Sequence, residues 1–157
     1  MRDIRKSLLL YAVTDRAWLP SAPTGLESLE SQVEEAILGG ATMIQLREKC
    51  LDEDSFIELA LRVKAVTTAR GVPLIVNDNL AVALAAGTDG LHIGQSDCDP
   101  SLARKSLPAG RLLGISVQTV RQASGTFRNL LTDSAYSFLS PAIQHAPIPS
   151  MEAHRHA

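Results

Sequence analysis

The sequence predicts an α/β protein with parallel strands and helices packed outside them, and three observations predict it. Near-continuous apolar runs recur, as in Leu8–Val13, Thr42–Leu46 and Pro73–Val76, the pattern of strands covered on both faces. Apolar residues at helical spacing fill the intervals. The junction from helix through glycine to strand also returns, as Gly39-Gly40-Ala41-Thr42-Met43-Ile44-Gln45 and as Ala86-Gly87-Thr88-Asp89-Gly90-Leu91-His92. One supersecondary unit therefore repeats, without the fixed period of a solenoid.

The elements follow in order. Leu8–Val13 reads as a first strand, and Asp15–Gly25, with Pro20 and Pro23, as a loop. Leu26, Leu29, Val33, Ala36 and Ile37 form a helical stripe stopped by Gly39-Gly40, and the strand Thr42–Leu46 follows. Asp52 caps a second helix carrying Phe56, Leu59, Val63 and Val66, which ends before Gly71. Pro73–Val76 is a third strand closed by Asn77-Asp78, and Ala81–Ala86 a short helix. Gly90–Gly94 is a fourth strand followed by Gln95-Ser96-Asp97, and a helix over Pro100–Leu107 leads to a fifth strand, Leu112–Val117.

Composition narrows the function classes. The chain has 157 residues, about one domain's worth, with 45% hydrophobic and 20% charged side chains, which is globular. Fifteen basic against seventeen acidic residues give a net charge of −2, and aromatics are only 4%. Neither a nucleic-acid surface nor base stacking is expected. Cys50 and Cys98, far apart, read as reduced thiols. The basic start and six-residue apolar run stop at Thr14-Asp15 without a small-residue cleavage site, so a cytoplasmic protein with no membrane association is expected.

The residues able to do chemistry cluster just after strands. If the second strand continues to Lys49, then Gln45, Arg47 and Lys49 share one face at a spacing of two. One amide and two cations on one edge suit a phosphate or diphosphate. Asp78 and Asp97 follow neighbouring strands, about 4.8 Å apart in a parallel sheet, so their carboxylates can meet on one cation such as magnesium. Each also precedes a helix and could instead cap it. Asn77 could bind a ligand or cap, His92 could be catalytic or simply hydrogen-bonded, and Ser116 could meet a phosphate or be buried packing. No Walker loop, dinucleotide fingerprint or serine-hydrolase order is present.

Five segments in order resemble thiamine-phosphate synthase: Leu10-Tyr11-Ala12-Val13-Thr14-Asp15, the run from Gly39 to Lys49, Pro73-Leu74-Ile75-Val76-Asn77-Asp78, Gly90-Leu91-His92-Ile93-Gly94-Gln95-Ser96-Asp97, and Gly114-Ile115-Ser116-Val117. The resemblance implies a (β/α)8 TIM barrel that condenses hydroxymethylpyrimidine diphosphate with thiazole phosphate and releases diphosphate. It implies that Gln45, Leu46, Arg47, Glu48 and Lys49 hold the pyrimidine diphosphate, with Asn77 and Ser116 at the pyrimidine. It places Mg²⁺ on Asp78 and Asp97, and makes Arg47, Lys49 and Ser116 the expected catalytic groups. The leaving diphosphate is neutralised by metal, arginine and lysine, and the aminopyrimidine delocalises the positive charge left behind.

Two departures qualify the resemblance, which covers about residues 8–123. Gln118 stands where many relatives carry a histidine, which counts against a thiazole tautomerase-like relative. After Ala123 no Phe-Pro-Thr phosphate loop or later glycine-rich loop follows, and His145, His154 and His156 crowd a biased tail. Eight βα units need about 200–250 residues, and the chain supplies roughly five. The expectation is a partial barrel over 1–123 and a divergent, frame-shifted or disordered tail over 124–157. The alternative function is an inactive, truncated remnant that binds a phosphorylated ligand or partner; a homo-oligomer is compatible with either.

Overall fold

The structure, a computed structural model, describes residues 4–119, 121–122 and the backbone of 135–139. The expected boundary at Ala123 and the three tail histidines lie outside the described residues. Short α1 (Ile4–Ser7) precedes β1 (Tyr11–Val13), and a 3-10 helix (Arg16–Ser21) leads to α2 (Leu29–Leu38). Then β2 (Met43–Leu46), α3 (Glu53–Ala69), β3 (Leu74–Asn77), α4 (Leu80–Ala85), β4 (Gly90–Ile93), α5 (Pro100–Ser106) and β5 (Leu112–Val117) alternate, and β6 (Ala135–Leu139) follows.

The six strands among the described residues are parallel and keep their sequence order, β1-β2-β3-β4-β5-β6. Each strand pairs with its predecessor, and α2 to α5 pack on one face, so the sheet winds as part of a barrel. Side-chain alternation sorts the strand residues. Ile44, Leu46, Leu74, Val76, Leu91, Ile93, Leu113, Ile115 and Val117 pack outward with Val33, Phe56, Leu59, Val63, Val82 and Ala103 of the helices in one core. The intervening residues belong to the inner face. Met43, Ile75 and Leu112 form a second apolar cluster there, closed by Ile4 and Leu8 around α1 and by Tyr11. Gly90 is also on this inner face: a Cβ would lie 2.4 Å from the Leu112 carbonyl oxygen and 2.9 Å from Ile75 Cδ1, so only glycine fits.

Two expected elements differ. Leu8–Val13 is not one buried strand: only Tyr11–Val13 is extended, Leu9 is 76% exposed and Val13 is 47% exposed. β1 has one strand neighbour among the described residues, and Leu8 turns under the inner cluster, so an apolar run is shared by a turn, a plug and an edge. The expected loop after Asp15 contains the 3-10 helix, whose first turn is capped by Asp15 Oδ1 accepting from the Ala17 N–H. Asp52 caps α3 as the sequence predicts, accepting from Ser55.

Candidate active site at the strand tips

On the inner face, polarity changes along β2, β3, β4 and β5. The N-terminal halves carry Met43, Ile75, Gly90 and Leu112; two residues further on come Gln45, Asn77 and His92, and four further on Ser116. Gln45, Asn77 and His92 are buried polar groups on adjacent strands, with Asn77 directly in register with His92. Gln45 Nε2 donates to the Tyr11 hydroxyl at 2.8 Å, and His92 Nε2 lies 2.9 Å from Ser116 Oγ. Burial holds the His92 imidazole at a pKa of about 4, against a smaller opposing pull from the Asp78 charge, so the ring is neutral at physiological pH.

Beyond the strands the loops bring charge. β2 ends at Leu46, so Arg47 and Lys49 do not share a strand face with Gln45; the loop turns each to its own carboxylate. Lys49 Nζ donates to Asp78 Oδ2 at 2.7 Å, and Arg47 Nη1 is 3.6 Å from Asp15 Oδ2. The Leu46 side chain is fully buried in the outer core, away from the tips. Glu48 accepts from Arg16 at 3.0 Å and from the backbone N–H groups of Lys49 and Cys50, so it staples its own loop. Partial burial raises its pKa, but those bonds outweigh it and hold the carboxyl below the ordinary glutamate value.

Neither aspartate caps a helix. Asn79 caps α4 and Asp99 caps α5. Asp78 instead takes a left-handed backbone with φ 64°, and its carboxylate accepts from Lys49. Burial raises its pKa, but bonds from Lys49, Asp97 and Asn77 overcome this and keep Asp78 ionised. Asp97 moves the other way: desolvation and the neighbouring Asp78 charge raise it, although the Gly94 N–H donates to its carboxylate. The two carboxyls therefore sit close enough to shift each other in opposite directions, Asp78 downward and Asp97 upward. A left-handed non-glycine residue costs of order 1–3 kcal/mol and is held only by its surroundings.

The chain matches the thiamine monophosphate synthase family over residues 10–142. It is 45% identical over 114 residues to a thiamine-phosphate synthase from Clostridium novyi, covering 73% of this chain and 53% of that protein. It is 42% identical over 113 residues to a probable thiamine biosynthetic bifunctional enzyme of Schizosaccharomyces pombe, covering 72% and 21%. This chain belongs to the thiamine monophosphate synthase family. Its structure resembles a thiamine phosphate pyrophosphorylase from Pyrococcus furiosus, with a TM-score of 0.70, 28% identity, and coverage of 80% of this chain and 58% of that one. The chain spans about half the length of the thiamine-phosphate synthases it matches. The family match runs past Ala123 to residue 142, and β6 lies within that stretch.

Within this thiamine monophosphate synthase fold, then, Gln45, Asn77, Ser116, Arg47, Lys49, Asp78 and Asp97 all fall at one end of the sheet, while Leu46 and Glu48 face elsewhere. Sequence reasoning missed Tyr11 and Gln95. Tyr11 was read as one apolar residue of a run, and its inner-face position depends on where β1 begins. Gln95 Nε2 donates to the Ser116 carbonyl at 2.7 Å, tying the loop after β4 to the end of β5. Cys50 and Cys98 are free thiols, and no described helix is long and apolar enough to cross a membrane.

Proposed function

We propose that this chain supplies the diphosphate-binding half of a magnesium-dependent thiamine-phosphate synthase. That enzyme joins hydroxymethylpyrimidine diphosphate to thiazole phosphate in a closed (β/α)8 barrel and releases diphosphate. The observation that carries the reading is Lys49 Nζ bonded to Asp78 Oδ2, with Asp97 near enough for its carboxyl and that of Asp78 to shift each other, all from three consecutive strand ends.

The residues fit a hard divalent cation. No cluster of three or more His, Cys, Asp or Glu is present among the described residues. The protein therefore offers two carboxylates, and water and a substrate phosphate would complete the shell, as magnesium sites on phosphorylated substrates commonly do. The Asp78 charge raises the Asp97 pKa, so a cation placed between the two carboxyls would relieve repulsion. Bound there, magnesium would neutralise charge on the departing diphosphate.

The side chains divide the remaining work. Lys49 and Arg47 are held by single carboxylates at exposed sites, contacts worth at most about 1 kcal/mol, so a polyanion can draw both cations away. Asn77, buried beside Asp78, orients the substrate next to the metal site, and Ser116 contributes a hydroxyl from β5. Reaction between small soluble metabolites is consistent with a cytoplasmic enzyme.

Titration calorimetry on the full chain tests the reading. Hydroxymethylpyrimidine diphosphate is expected to bind only with magnesium, and Asp78→Ala should abolish that dependence. Binding that ignores both magnesium and Asp78→Ala would overturn the metal assignment. Diphosphate release on adding thiazole phosphate reads the complete reaction.

A further inference from the structure

We propose that Tyr11 and His92 are positioning residues for the pyrimidine end of the site, acting through Gln45 and Ser116; this rests on the function proposed above. Four inner-face side chains from β1, β2, β4 and β5 form two linked pairs. Gln45 Nε2 donates to the Tyr11 hydroxyl, and His92 Nε2 meets Ser116 Oγ. The two pairs touch where the Tyr11 and His92 rings lie tilted at 57°, with centroids 6.4 Å apart.

The arrangement determines what each outer residue can offer. Gln45 is buried, and one amide N–H is committed to Tyr11, which restricts its carboxamide to one orientation. With Nε2 2.9 Å from Ser116 Oγ, the His92 ring in its Nε2-protonated tautomer donates to that oxygen and leaves the hydroxyl proton for an acceptor on the ligand. Ser116 is held a second time, through its backbone carbonyl, by Gln95. These supports lie below the charged tips, so they bear on a ring seated on the inner face and not on phosphates held by Arg47, Lys49 and the aspartates. Preorganised supports of this kind set geometry without touching the reacting atoms.

The test uses the full chain with magnesium and two calorimetric probes, hydroxymethylpyrimidine diphosphate and inorganic diphosphate. Tyr11→Phe removes only the hydroxyl that receives Gln45 and keeps the ring. His92→Phe removes the partner of Ser116, and His92→Gln returns a hydrogen-bonding group. Tyr11→Phe and His92→Phe should each weaken the pyrimidine probe about fivefold, the worth of one hydrogen bond, and leave inorganic diphosphate within about twofold. His92→Gln should recover part of the loss. Adding His92→Phe to Ser116→Ala should cost nothing further, because the two act through one bond.

Equal weakening of both probes would show a merely structural role and overturn the proposal, as would strictly additive losses. Should His92→Phe not fold, Tyr11→Phe alone decides between these outcomes. Wild-type chain that binds inorganic diphosphate but not the pyrimidine probe would overturn this inference and leave the charged-tip reading standing. Binding of neither probe would overturn both.

Discussion

The two ends of the inner face make an instructive contrast. At the N-terminal end, Met43, Ile75 and Leu112 close over Gly90 and are sealed from below by Ile4 and Leu8. About 6.6 Å along the same strands, two residues at roughly 3.3 Å each, the side chains become Gln45, Asn77 and His92. The floor is apolar, and the rim buries polar groups that need specific partners. A polar group buried in this way gains little net stability even when satisfied, and Asp78 adds backbone strain. One end of the sheet is built to hold the fold, and the other carries the proposed site.

Four substitutions sharpen that contrast. Gly90→Ala should be the most damaging, at about 4 kcal/mol or more, because its Cβ meets the Leu112 carbonyl oxygen and β4 has to shift. Chemical denaturation would read this as a lower midpoint, and an unchanged midpoint would show that the close approach is absent. Ile75→Ala should cost about 3 kcal/mol by emptying the floor. Its magnesium-dependent binding should survive wherever the protein stays folded, which calorimetry at low temperature would check.

The rim should respond to pH instead. His92 has a folded pKa of about 4 against an ordinary 6.5, so between these values the unfolded chain binds the extra proton. Its contribution is complete above about pH 6.5 and falls by up to about 3 kcal/mol as the pH drops toward 4. Unfolding midpoints of the wild type and His92→Gln, measured from pH 7 to 4.5, should diverge, with the variant showing the shallower decline. Parallel curves would mean that His92 is not desolvated. The smallest effect belongs to Asp97→Asn. The folded state disfavours this carboxylate, so the substitution should stabilise the protein at neutral pH, by only a few tenths of a kcal/mol because the group is exposed and screened. Its magnesium affinity should fall nonetheless. A loss of stability would show that the two carboxyls do not repel.

How much of this was legible depends on the kind of signal. Outward-facing strand residues and the helical stripes could be read from hydrophobic periodicity, since both sides of that core are apolar. Asp52 could be read as a cap because it directly precedes its helix. Asp78 and Asp97 were ambiguous for a local reason: a carboxylate before a helix suits a cap or a ligand equally well. Chain geometry removes the capping reading, because Asn79 and Asp99 take the caps. Alternation carried past Leu46 puts Arg47 and Lys49 on one strand face, but the strand stops at Leu46.

By itself the sequence determined the repeating helix–strand unit, the parallel sheet and the set of polar residues clustered after strands, because each is written in spacings of a few residues. The tertiary structure alone decided which of those residues meet. Asp78 reaches Lys49 across 29 residues, Gln45 reaches Tyr11 across 34, and His92 reaches Ser116 across 24. Such partners follow from strand register and from the turn each loop takes, and neither leaves a local pattern in the chain.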